Sequence, residues 1–93
     1  MHDHGELDRL RAQMDTINRR LVAVLHERAA HCRRIGAWKR SQGLAGADPA
    51  REQAMREMML RDVAAEGFAR DDLTAILDVV FARSRALVER APR

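Results

Sequence analysis

The chain has 93 residues, with 17 Lys or Arg against 14 Asp or Glu, a net charge of +3 and an isoelectric point near 10.4. A single domain of this size buries only about 60–65% of the unfolded chain's surface, so a second chain would add stability. One cysteine excludes an internal disulfide, no Cys/His spacing fits zinc, no apolar run nears the roughly 20 residues of a membrane span, and MHDHGELDRLR lacks a secretory h-region, so the expected compartment is the cytoplasm.

Ala, Leu, Arg, Glu and Met dominate and favour helix, and no segment alternates with the period of a strand, so the fold class is all-α. Residues 1–5 read as a disordered tail and residues 6–91 as the folded domain. From Glu6 the apolar positions are Leu7, Leu10, Met14, Ile17, Leu21 and Val24, a heptad seam that continues onto Arg28, His31, Ile35 and Trp38. A first helix from about Glu6 to about Arg40 would be roughly 50 Å long. A compact globule of this chain length is only about 32 Å across. The N-terminal half therefore needs another chain, and a two-fold homodimer is the default.

SQGLAGA, residues 41–47, is the first loop. Asp48 and Pro49 open a second helix as N-cap and first helical residue, and that helix carries Ala54, Met55, Met58, Met59 and Val63 before a C-terminal cap at Gly67. The methionines read as core filler. A third helix starts near Arg70 to Asp72, where acids suit the helix dipole, with an apolar face of Leu73, Ile76, Leu77, Val80, Phe81, Leu87 and Val88, and Pro92 closes the chain.

Several polar residues interrupt these faces. Arg28 falls on the seam, where an unpaired buried guanidinium would cost several kcal/mol, so it must snorkel or meet an anion. Lys39 lies eleven residues on and projects within about 20° of Arg28, about 16 Å along the axis. Ser84 breaks the third helix's face between Phe81 and Leu87, and a short loop returns Asp48, Arg51 and Glu52 toward Lys39. Arg11 is about 25 Å from Arg28 on the same helix. In an antiparallel dimer the Arg11 of one chain would approach the Arg28 of the other. Four cations against two carboxylates suit a small dianion, because Arg forks match carboxylates and Lys supplies a point charge. No nucleophilic triad, metal cluster or phosphate-cradling glycine loop is evident, so any chemistry here rests on positioning and electrostatics rather than on a nucleophile.

The order of these residues resembles the all-helical (AroQ-type) chorismate mutases. The matching pattern is LxxLRxxMDxINxxLVxxLxxR from Leu7 to Arg28, RRIGxxK from Arg33 to Lys39 and DPxRE from Asp48 to Glu52. The resemblance implies three helices per chain in an intertwined homodimer of six helices with two equivalent sites. It implies rearrangement of chorismate to prephenate, with no cofactor and no covalent intermediate, in the shikimate pathway of aromatic amino acid biosynthesis. By resemblance, the partner's Arg11 and Arg28 hold the substrate carboxylates, and Lys39 sits at a carboxylate and the ether oxygen. Asp48 and Arg51 line the ring side, Glu52 accepts from the ring hydroxyl, and Ser84 lies near a carboxylate. Ile35, Met55 and Phe81 form apolar wall. Family members usually carry Gln or Glu about four residues after the Ser84 position, to assist Lys39. Here Val88 stands there, with Glu89 one residue and 100° further around the helix. Loss of such a donor typically costs on the order of 100-fold or more in rate. The departure points to a slow enzyme, one activated by a protein of the aromatic pathway, or one using isochorismate or aminodeoxychorismate.

The competing class is a basic helical dimer on nucleic acid, motivated by Arg19–Arg20 and Arg33–Arg34. The intermixed acids, the scarcity of aromatic residues and the lack of a helix-turn-helix spacing argue against it.

Overall fold

In the computed structural model, which describes residues 4–61 and 67–90, three α-helices follow one another. They are α1 (His4–Ser41), α2 (Pro49–Arg61) and α3 (Arg70–Arg90), and the described residues include no strand. Among the described residues, no helix is long and apolar enough to cross a membrane. The chain divides into two units, Met1–Ala30 and His31–Arg93.

The described part of the first unit is α1 alone. The helix begins at His4, so His4 and Gly5 belong to it rather than to a tail, while residues 1–3 lie outside the described residues. Glu6 in the first turn suits the positive end of the helix and pairs with Arg9 at 2.6 Å, which favours the earlier start. The heptad seam is on the surface: Leu7, Leu10, Met14, Ile17, Leu21 and Val24 each keep 43–59% of their area exposed.

The second unit contains the end of α1 with α2 and α3. On the end of α1 the buried residues are Cys32 and Gly36, whereas His31, Ile35 and Trp38 are exposed. His31 was expected to pack in the seam. A seven-residue pattern slips by about 20° per heptad on a 3.6-residue helix, so after four heptads the next residue along has rotated into the seam's place.

The end of α1 is a Schellman turn. Gly43 takes a left-handed φ of 69°, Leu44 N donates to Lys39 O at 2.8 Å, and Gly43 N donates to Arg40 O at 3.2 Å. α2 then opens as expected: Arg51 N donates to Asp48 Oδ1 at 3.0 Å, and Glu52 N to Asp48 O at 3.1 Å.

α2 and α3 pack on each other around Leu60, Leu77 and Phe81, with Met55, Leu73 and Val80 against that core. Residues 73, 77, 80 and 81 form one stripe of α3. Ile76, expected on that face, is exposed. On α2 the inward face is Glu52, Arg56 and Leu60, one residue per turn. Met58 and Met59 are therefore not core filler: they stay 55% and 43% exposed, and Leu60 takes the buried place. The reason is polar. Arg56 reaches Asp78 at 2.8 Å and Glu52 pairs with Arg85, so two ion pairs to α3 fix which face of α2 turns inward. Val63 and Pro92 lie outside the described residues, and the cap expected at Gly67 follows residues that do as well.

Gly43 has nothing within 4 Å of where a Cβ would stand, so substitution there meets backbone strain and no clash. Gly43→Ala should lower unfolding free energy by about 1 kcal/mol, and Gly43→Asn by less, as urea denaturation would show.

Candidate active site

Two polar corners form along the last turns of α3. The first belongs to Lys39. The Schellman turn ends α1 just beyond this residue, and the chain comes back so that Lys39 Nζ donates to Gly46 O at 3.1 Å. Gly46 itself lies against α3: a Cβ placed on it would stand 3.2 Å from Glu89 Cγ and 3.8 Å from Val88 Cγ1. A larger residue at 46 would require the Glu89 side chain to give by a few tenths of an ångström. Lys39, the loop and residues 88–89 are thus one local assembly.

α3 remains helical through Arg90. No distortion carries Glu89 around to the position of Val88, so the place four residues after Ser84 is apolar, and both Val88 and Glu89 lie against Gly46.

The second corner belongs to Glu52, whose side chain keeps 14% exposure. Arg85 Nη1 donates to Glu52 Oε1, and Arg56 Nη2 lies 4.0 Å from the same oxygen. Arg56 is held in turn: Nε and Nη2 donate to Asp78 Oδ1 at 3.2 and 2.8 Å, and Nη1 donates to Gln53 Oε1 at 3.0 Å. Its guanidinium lies 5.2 Å from the centroid of the Phe81 ring, a cation–π distance.

The other expected site residues fall as follows. Ser84 is half-buried on α3 and its hydroxyl donates to Val80 O at 2.7 Å. Asp48 caps α2 while remaining exposed, and Arg51, three residues on, is exposed. Ile35 is exposed on α1. Phe81 is 1% exposed and sits in the α2–α3 core with Met55 packed against that core, so the two were expected as open wall and are found as packing. The stripe spacing that makes them core is the same spacing that made them resemble wall. Arg11 and Arg28 belong to the first unit, Arg11 exposed and Arg28 half-buried.

Arg56 and Arg85 were not among the expected site residues. The Glu52–Arg56 pair is legible as an acid followed four residues later by a base. Arg85 leaves no such signal, because it meets Glu52 across 33 residues of sequence.

The family model for type II chorismate mutases matches residues 10–89. The chain belongs to the type II chorismate mutase family. Membership implies an isomerase activity on chorismate, and the matched span includes every site residue named above from Arg11 to Val88. The all-helical, three-helix chain agrees with that fold. Comparison with individual curated proteins finds no match.

Proposed function

We propose that the protein is a cytoplasmic chorismate mutase of aromatic amino acid biosynthesis that works as an intertwined homodimer, each of its two sites built from both chains. The observation that carries the reading is the family match over residues 10–89, taken with the cation series Arg11, Arg28, Lys39 and Arg51 inside it. The exposed seam of α1 supports the second chain: six large apolar side chains at heptad spacing, each with about half its surface open, make a surface suited to a helix of the same kind.

In this reading the reaction is unimolecular. The ether C–O bond of chorismate breaks as a new C–C bond forms between the enolpyruvyl group and the ring, and the product is an isomer. No proton need be taken and no covalent intermediate forms. The protein's part is to hold the folded substrate and to stabilise charge as it separates. The partner's Arg11 and Arg28 grip the two carboxylates as forks. Lys39 exchanges the Gly46 carbonyl for a substrate carboxylate and the ether oxygen, where negative charge grows. Glu52 accepts from the ring hydroxyl. Asp48 and Arg51 bound the ring side, and Ser84 lies by a carboxylate. Ile35 and Val88 supply apolar surface, with Met55 and Phe81 packed behind the site in the α2–α3 core.

Val88 sets the expected rate. Lys39 stabilises the ether oxygen without a second donor, so the isolated enzyme is slow, and a protein of the aromatic pathway that supplies or orients a further donor raises its rate.

The test is purified protein with chorismate, followed by loss of the substrate's ultraviolet absorbance. Turnover to prephenate supports the reading; none, alone or with aromatic-pathway proteins, overturns it. Arg28→Ala should lower kcat/KM on the order of 100-fold or more. If each site takes Arg11 from one chain and Arg28 from the other, equal amounts of Arg11→Ala and Arg28→Ala chains refolded together should recover about one quarter of wild-type activity, since about half the dimers are mixed and each mixed dimer has one intact site. Val88→Gln should raise kcat, measured under the same conditions, by restoring a donor near the ether oxygen.

A further inference from the structure

A carboxylate is an awkward neighbour for a dianionic substrate. Glu52 must lie close enough to accept from the ring hydroxyl, yet its charge repels the two substrate carboxylates across a short distance in a medium of lowered dielectric. The α2–α3 interface contains an answer. Arg85 donates to Glu52 Oε1 and Arg56 stands 4.0 Å from that same oxygen. Among the described residues Oε2 accepts no hydrogen bond, so one oxygen is occupied by cations and the other is open to a donor. Arg56 is itself immobilised by Asp78, Gln53 and the Phe81 ring. These contacts hold it beside Glu52, where it backs the pair from the side of the Phe81 ring.

We propose that Arg85, backed by Arg56, is a positioning residue that compensates the charge of Glu52 and holds its carboxylate by Oε1, leaving Oε2 for the substrate hydroxyl. The inference rests on the chorismate reading of the site. It adds a reason why a glutamate is tolerated beside a dianion, and it assigns a function to an arginine outside the matched motif residues. Arg85 touches no reacting atom in this scheme; it acts only through Glu52.

The scheme has a signature that a merely structural ion pair lacks, because removing the carboxylate should cure the loss of its compensating cation. Steady-state kinetics on chorismate would compare the wild type with Arg85→Gln, Arg85→Lys, Glu52→Gln and the double variant Arg85→Gln/Glu52→Gln, with circular dichroism to check helix content. Arg85→Gln should raise KM on the order of tenfold, and Arg85→Lys, which keeps the charge, should restore most of that loss. The double variant should return to the KM of Glu52→Gln alone. An unchanged KM in Arg85→Gln, or a double variant whose KM effects simply multiply, overturns the inference while wild-type turnover leaves the mutase reading standing. If Arg85→Gln loses its helix content, Arg85→Lys decides: a KM near that of the wild type supports charge compensation, and one raised tenfold overturns it. A wild type that does not turn over chorismate overturns both.

Discussion

The apolar seam of α1 is the constraint from which the rest follows. Leu7, Leu10, Met14, Ile17, Leu21 and Val24 keep 43–59% of their surface exposed in the single chain. Covering the remaining half of such a side chain is worth about 1 kcal/mol, so the six together amount to several kcal/mol. That is comparable with the whole stability of a small domain. The described core of the single chain is small by contrast: Leu60, Leu77 and Phe81 with three half-buried neighbours. In the proposed dimer, folding and association are therefore one event, and the residues that hold the chains together lie on the same helix that carries Arg11 and Arg28. Position in the seam explains why an arginine at residue 28 is tolerable. A guanidinium there is tolerable where a neighbouring group, an anion or solvent reached by its long side chain answers its charge.

A second economy appears at the end of α3. The stretch from Ser84 to Glu89, about 8 Å of helix, touches both polar corners. Arg85 fixes Glu52 on one side, and Val88 with Glu89 seats the loop whose Gly46 carbonyl accepts from Lys39 on the other. Groups that terminate secondary structure serve here a second time. Asp48 is the N-cap of α2 and begins the DPxRE motif. The Schellman turn at Gly43 ends α1 four residues beyond Lys39 and returns the chain toward it. Changing a cap here moves a charge.

Local rules made much of this legible in the sequence. Asp48 before Pro49 marked the start of α2, the heptad apolar residues marked α1, and acids at Asp71 and Asp72 marked the start of α3, because each signal acts within one or two turns. The beginning of α1 came out two residues late, since a helix primed by Glu6 and Arg9 extends into residues whose own propensity is poor. The buried face at the end of α1 was missed by one residue, Cys32 and Gly36 in place of His31 and Ile35, because a heptad count accumulates error over four repeats. Leu60 in place of Met58 and Met59 had a different cause. α2 carries apolar residues on more than one side, and the choice among them is made by Arg56–Asp78 and Glu52–Arg85, pairs formed across helices. Of the candidate site, the order of the motif residues was legible. The pairing of Glu52 with Arg85 was not, since nothing local connects residues 33 apart.

Val88 joins these two levels. Its Cγ1 would meet a Cβ on Gly46 at 3.8 Å, so the apolar side chain forms part of the surface on which the loop rests. That loop supplies the carbonyl now bonded to Lys39. A longer polar side chain at residue 88 would have to lie against the same backbone while finding a partner for its own donor. An unpaired donor half-buried there costs about 1–3 kcal/mol. Valine avoids that cost and packs the corner, at the expense of a second donor near the ether oxygen in the proposed reaction. The chain's departure from its family's usual residue therefore reads as a choice between a corner that is stable when empty and one that is better equipped when filled, the trade that small enzymes with little stability in reserve meet most sharply.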